Sequence, residues 1–174
     1  ATMNLIAKEL RKLKPDILLY GEGWTAGASP LPDSLRALKK YAYKLDKIAY
    51  APNPETAFKI NGVSDILSWG NNKLLVMERS ASKGRIPATI KLFIADLNGA
   101  TDISFTTLKN NRSFIAAKKS LLLNMDDLGI YTDNLEGITF GPLLPNGHKT
   151  LLFVADNNFS NTEKAQLLLF EVLE

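Results

Sequence analysis

Apolar positions along this chain keep two different periods, and the change between them falls near residue 51. In MNLIAKELRKLK, residues 3 to 14, Leu5, Ile6, Leu10 and Leu13 recur at helical spacing and stop before Pro15. Asp16 to Tyr20, DILLY, is a compact apolar run that predicts a buried strand. After the Gly- and Pro-bearing loop of residues 21 to 33, helical spacing returns from Ser34 to Ile48 through Leu35, Leu38, Tyr41 and Leu45. Beyond Ala51-Pro52-Asn53-Pro54 the runs become sheet-like. Strands are expected near 62–68, 73–79, 90–96, 102–107, 113–123, 135–140, 150–155 and 166–172, with a helical turn or loop over Met125 to Ile130. Gly70-Asn71-Asn72 and Asn146-Gly147 suit hairpin connections, since both residue types accept positive φ. The pattern predicts a mainly β fold preceded by a short helix-strand-helix α/β segment, divided as residues 1–50 and 51–174.

Within the β part the plan repeats. NGVSDILSWGNNKLLVMERS, Asn61 to Ser80, is answered by DNLEGITFGPLLPNGHKTLLFVADNNFS, Asp133 to Ser160. Each copy has a short strand with an acid, a Gly/Asn turn, and an apolar run that ends in polar groups. Those groups are Glu78-Arg79-Ser80 in the first copy and Asp156-Asn157-Asn158 in the second. A third strand closes each, IKLFIADL at Ile90 to Leu97 and QLLLFEVL at Gln166 to Leu173. Recurrence after about 75 residues points to a propeller or related all-β repeat architecture, with matching strand ends around a common axis. Two such units would leave the closed ring incomplete and sheet edges open to self-association.

Composition narrows the partners. Of 174 residues 45% are hydrophobic and 22% charged, an ordinary globular balance. The net charge of +3 comes from the first 50 residues, with nine Lys/Arg against five Asp/Glu; the rest hold twelve against thirteen. Those lysines and arginines fall among apolar positions as a solvated helix face would, without a nucleic-acid motif, so no nucleic-acid partner is expected. Lys118-Lys119 likewise reads as a solvated pair. Without cysteine there is no disulfide framework, Cys-ligated zinc or cysteine nucleophile. No run of about 18 apolar residues predicts a membrane span. The chain begins Ala-Thr-Met without signal-peptide features, which leads us to expect a processed chain or a fragment.

Candidate chemistry lies at strand ends. Asp65, Glu78, Glu136 and Asp156 interrupt runs of Ile, Leu, Val and Phe, where an unpaired charge is costly and each needs a partner. Arg79 can pair with a carboxylate or grip a phosphate or substrate carboxylate, and Asn157 is the second substrate-binding candidate. A hard cation such as Ca²⁺ would instead gather Glu136, Asp156 and Asn158. These polar groups also read as ion pairs and turn caps between sheets. Ser80 and Ser160 are conceivable nucleophiles, although neither lies in a G-x-S-x-G elbow and the sole histidine, His148, reads as a turn residue. Trp24 and Trp69 read as packing residues, with sugar stacking as the other use. Glu22, just past DILLY, stands where an α/β barrel presents its catalytic acids.

Two resemblances follow from these residues. KPDILLYGEGWTAGASPLP, with RALKK and KLDKIA, resembles the pullulanase-like branch of the α-amylase superfamily over about residues 3 to 49. It implies Glu22 as the general acid/base of a retaining glycosidase, whose nucleophile comes from a preceding barrel strand. From about Phe58 to Val172, NGVSDIL, LLVMERS, LFIADLNGATDIS, KKSLLLNMDDLGI, the DNLEGITF to DNNFS block and LLLFEV resemble the phytase-like family with esterase-like activity. That resemblance implies a β-propeller hydrolase of phosphate or carboxylate esters in a secreted or periplasmic setting. Glu78, Arg79 and Asp156 are the catalytic candidates it suggests. The alternatives are a glycoside hydrolase fragment centred on Glu22 and a non-catalytic propeller-type interaction module.

Overall fold

Two consecutive asparagines turn the longest hairpin among the described residues and set its register. Strand β3 (Lys59–Gly70) runs into β4 (Lys73–Ser82) through Asn71 and Asn72, whose φ values are 51° and 56°. Positive φ at both central residues gives the twist that antiparallel strands need, and Gly70 pairs with Lys73 across the loop. The computed structural model describes residues 17–21 (backbone only), 39–85, 87–105 and 113–173. The chain divides into two compact units, one of Ala1–Lys44 and Asp96–Lys118, the other of Leu45–Ala95 and Lys119–Glu174.

In the first unit β1 (Ile17–Gly21) pairs in parallel with β2 (Lys39–Tyr43). The strand expected at DILLY is present, but the described residues 39–48 of the helix expected from Ser34 to Ile48 are not helical. Lys39–Tyr43 is extended, and Leu45 to Ile48 lies outside any helix. The reason is burial on both sides: Tyr41, Ala42 and Tyr43 are buried in succession, whereas an amphipathic helix alternates faces by threes and fours. Ile103 and Ala117 donate their N–H groups to the carbonyls of Lys40 and Ala42, at 2.8 Å each. The expected helix at residues 3 to 14 lies outside the described residues. Of the strand expected near 102–107, the described residues 102–105 turn instead, because the Asp102 carboxylate accepts from the Ser104 N–H at 2.9 Å.

The second unit holds two sheets. One has the order β3-β4-β5-β6, with β5 (Thr89–Asp96) and β6 (Lys118–Asn124); a short 3₁₀ turn, Met125–Leu128, follows β6. The other has the order β7-β8-β9: Gly137–Phe140, Thr150–Ala155 and Gln166–Glu171. β4 is antiparallel to β3, and β8 is antiparallel to both of its neighbours, β7 and β9. One core joins the sheets, with Leu75, Met77, Ile90 and Leu92 facing Ile138, Leu151, Phe153 and Ala155. Phe153 meets Phe170 edge to face at 5.3 Å, and Trp69 meets Phe140 at 5.8 Å while packing against that core. The fold is mainly β with antiparallel sheets, and no sheet closes on itself among the described residues.

Candidate functional site

β4 is the hub, because it lies between β3 and β5 and its alternate residues face opposite ways. Glu78, Ser80 and Ser82 share one face and hold the segment Asp46 to Tyr50 by its backbone. Glu78 accepts from the Asp46 N–H at 3.0 Å, Ser80 from the Ala49 N–H at 2.9 Å, and Ser82 donates to the Tyr50 carbonyl at 2.7 Å. Asn61 completes the grip by donating to both the Asp46 carbonyl (2.9 Å) and Glu78 (2.8 Å).

Glu78 is 1% exposed and needs compensation for its charge. Lys119 supplies it, reaching Glu78 at 2.6 Å and Asp46 at 2.7 Å while lying 4.0 Å from the Phe93 ring. Lys91 touches Asp46 more loosely, at 3.4 Å. Burial would raise the Asp46 carboxyl, but Lys119 and then Lys91 hold it below the usual carboxylate range. The cleft beside this network holds about 170 Å³ of empty space, open solvent included. Oδ1 of Asn61 is a buried acceptor that meets no donor among the described residues.

Arg79 is on the opposite face of β4. Its Nη1 donates to Glu136 at 3.0 Å and to the Asn134 side-chain oxygen, and Asn134 Nδ2 donates to Glu136 at 2.6 Å. Side chains of Arg79 and Glu136 are 32% and 43% exposed, so this cluster, unlike Glu78, is accessible to a ligand. Glu136 also ties to β8, its N–H bonding the Val154 carbonyl at 2.8 Å two residues before Asp156.

The segment that carries Asn134 and Glu136 is fixed by Asp133. This buried carboxylate accepts from the Asn134 N–H (2.8 Å), the Lys164 N–H (2.6 Å) and the Tyr131 hydroxyl (3.0 Å). Burial alone would push it up; those donors carry it below the usual range, while burial and then Asp133 push the Tyr131 hydroxyl up. Asp133 and Asn134 escaped the sequence reading, although they precede Leu135-Glu136 as an adjacent polar pair.

The remaining candidates separate. Asp156 accepts from the Asn158 N–H at 3.0 Å, and Asn157 from the Phe159 N–H at 3.3 Å, in the exposed loop after β8. Asn158 Nδ2 donates to Glu163 at 2.7 Å. Arg79 and Glu136 are therefore brought together, and Glu78 is held in a separate network. Among the described residues no three His, Asp or Glu side chains gather in a metal-binding group. Ser80 bonds Ala49, and Ser160 shares its hydroxyl with Thr162 at 2.9 Å. His148 pairs with Glu171 at 2.6 Å, at a turn in which Asn146 and then His148 lower the Glu171 carboxyl. Asp65 accepts from the Ile138 N–H at 2.8 Å. Lys119 is not a solvated residue, as its pairing with Lys118 suggested; alternation in β6 exposes Lys118 and turns Lys119 inward. Glu22 and Trp24 lie outside the described residues.

Residues 29–159 match the family model described as "Phytase-like: Esterase-like activity of phytase". The matched span begins ahead of β2 and ends at Phe159, after β8. No curated protein matches, and no solved structure matches.

Proposed function

The chain belongs to the phytase-like family, and from that premise we propose that it serves a hydrolase of phosphate or carboxylate esters in which Arg79 holds the substrate oxygen. The observation that carries this reading is the partly exposed Arg79, fixed by Glu136 and Asn134. Both bonds use Nη1, and a guanidinium carries further N–H donors on Nη2 and Nε. Such a fork suits a phosphate or carboxylate, and it also offsets the charge that grows on an ester oxygen when water attacks and the alkoxide leaves. Asp156 and Asn157, on the loop after β8, would contact the rest of the substrate. We keep Glu136 in this anion site rather than in a calcium cage, because its carboxylate is already bonded by Arg79 and Asn134. The two sheets are read as propeller blades, supported by the repeated plan and by strands that adjoin in chain order.

Hydrolysis of p-nitrophenyl acetate and p-nitrophenyl phosphate tests the proposal. Arg79→Ala is expected to lower kcat/KM by about ten- to a hundredfold, from losing about 1.5–3 kcal/mol of charged hydrogen bonding. Arg79→Lys should recover only part, since it lacks the fork. An Arg79→Ala protein that stays folded and keeps its full kcat/KM would overturn the assignment.

A further inference from the structure

Asn61 on the edge strand β3 lies directly across from Ser80 on β4, and both residues line the cleft beside the Glu78 network. The Asn61 amide has a fixed orientation. Its Nδ2 donates to the Asp46 carbonyl at 2.9 Å and to Glu78 at 2.8 Å, so a flipped amide would set an oxygen against two acceptors. Oδ1 is therefore turned away from that pair, buried, and without a donor among the described residues. An acceptor left in this state is costly, and nearly all buried polar groups in proteins have a partner. Ser80 carries the complementary group. Its oxygen accepts from the Ala49 N–H at 2.9 Å, and its hydroxyl proton is still free to be donated. Facing residues of an antiparallel pair have Cβ atoms about 4.5–5.5 Å apart, a span over which one water connects two short polar side chains. Lys91, a third lining residue, bonds Asp46 at 3.4 Å through an ammonium that carries three donors. There is room as well, since a water occupies about 30 Å³ in the liquid against the 170 Å³ of this solvent-open cleft.

We propose that this cleft is a hydration site, in which one ordered water accepts from the Ser80 hydroxyl and donates to Asn61 Oδ1. The two groups ask for a ligand that both accepts and donates. That requirement selects water over ammonium or a metal cation, which cannot accept, and over an anion, which cannot donate. Asn61 and Ser80 already hold the segment Asp46 to Tyr50 by its backbone, so the water joins β3, β4 and that segment around a single solvent molecule. The site is independent of the ester-hydrolase reading, since it lies on the face of β4 opposite Arg79.

The test pairs crystal structures of the wild-type protein, grown with and without ammonium salts, with water–protein NOE measurements in solution. Both crystals are expected to show a water within about 3.2 Å of Asn61 Oδ1 and of Ser80 Oγ. In solution a long-lived water should give NOEs to the Asn61 amide protons and to the Ala49 N–H. Asn61→Leu puts carbon where the acceptor stood, and the NOE at the Ala49 N–H should be lost. The wild-type measurements decide the matter on their own if that variant does not fold. Empty density between the two side chains, a protein donor on Oδ1, or a peak confined to the ammonium crystals would overturn the proposal. So would an Ala49 NOE that a folded Asn61→Leu protein keeps unchanged, because the water would then not depend on Oδ1.

Discussion

Glu78 illustrates how a charge is kept inside an apolar strand. Three described donors, the Asp46 N–H, the Asn61 amide and the Lys119 ammonium, converge on one carboxylate that is almost fully buried. Removing it leaves Lys119 with Asp46 on a largely covered face and frees the Asp46 N–H. Glu78→Ala is therefore expected to cost about 3–5 kcal/mol in urea unfolding, as breaking a buried ion pair does. Lys119→Met in the same background should cost less than it does alone, because the charge it compensates is gone. A loss below about 1 kcal/mol for Glu78→Ala would show the network to be solvent-screened. The sequence revealed that Glu78 needed a partner, since an acid stood in LLVMERS. It could not reveal Lys119, 41 positions away, or Asn61, 17 away, because ion-pair partners are chosen by sheet order and not by spacing.

At the scale of elements, alternation was legible wherever a strand had one clear partner on each side. The hairpin at Asn71-Asn72, the strands β4, β5, β8 and β9, and the turn at Met125–Leu128 all appear close to where patterning put them. β2 escaped because Leu35, Leu38, Tyr41 and Leu45 happen to fall at helical spacing, while its extended state depends on β1 and on Ile103 and Ala117, which no local pattern reports. The meeting of β3 with β7 was hidden for a similar reason. β7 is an edge strand, and Asp65, next to an irregularity in β3, turns its carboxylate to the Ile138 N–H. The acid that needed a partner inside an apolar strand finds it in the backbone. Asp65→Ala should lower stability by about 1–3 kcal/mol by stranding that N–H, and Asp65→Asn by less, since an amide oxygen still accepts. Equal losses in the two variants would mean that something other than the hydrogen bond holds the seam.

At the scale of the whole molecule, two carboxylates held by hydrogen bonds and ion pairs make folding depend on acid. Asp46 and Asp133 both have carboxyls held below their ordinary values, against the opposing effect of burial. In the unfolded chain they regain an ordinary pKa of about 3.9. A group with a depressed folded pKa contributes stability that is fully present above the unfolded value and is lost as pH falls through the folded one. Urea midpoints should therefore be nearly level from pH 7 to 5 and decline below about pH 4. Asp133→Asn keeps one acceptor oxygen but carries no charge, so it should start less stable at pH 7 and fall less steeply in acid. An Asp133→Asn protein whose acid limb runs parallel to the wild type would place the proton-linked stability elsewhere. Because Asp133 also orients Asn134 beside Arg79, the same variant connects the two properties. Its ester kcat/KM at pH 7, measured well below the urea midpoint, should fall along with stability if the Arg79 cluster depends on the fixed segment from Tyr131 to Glu136.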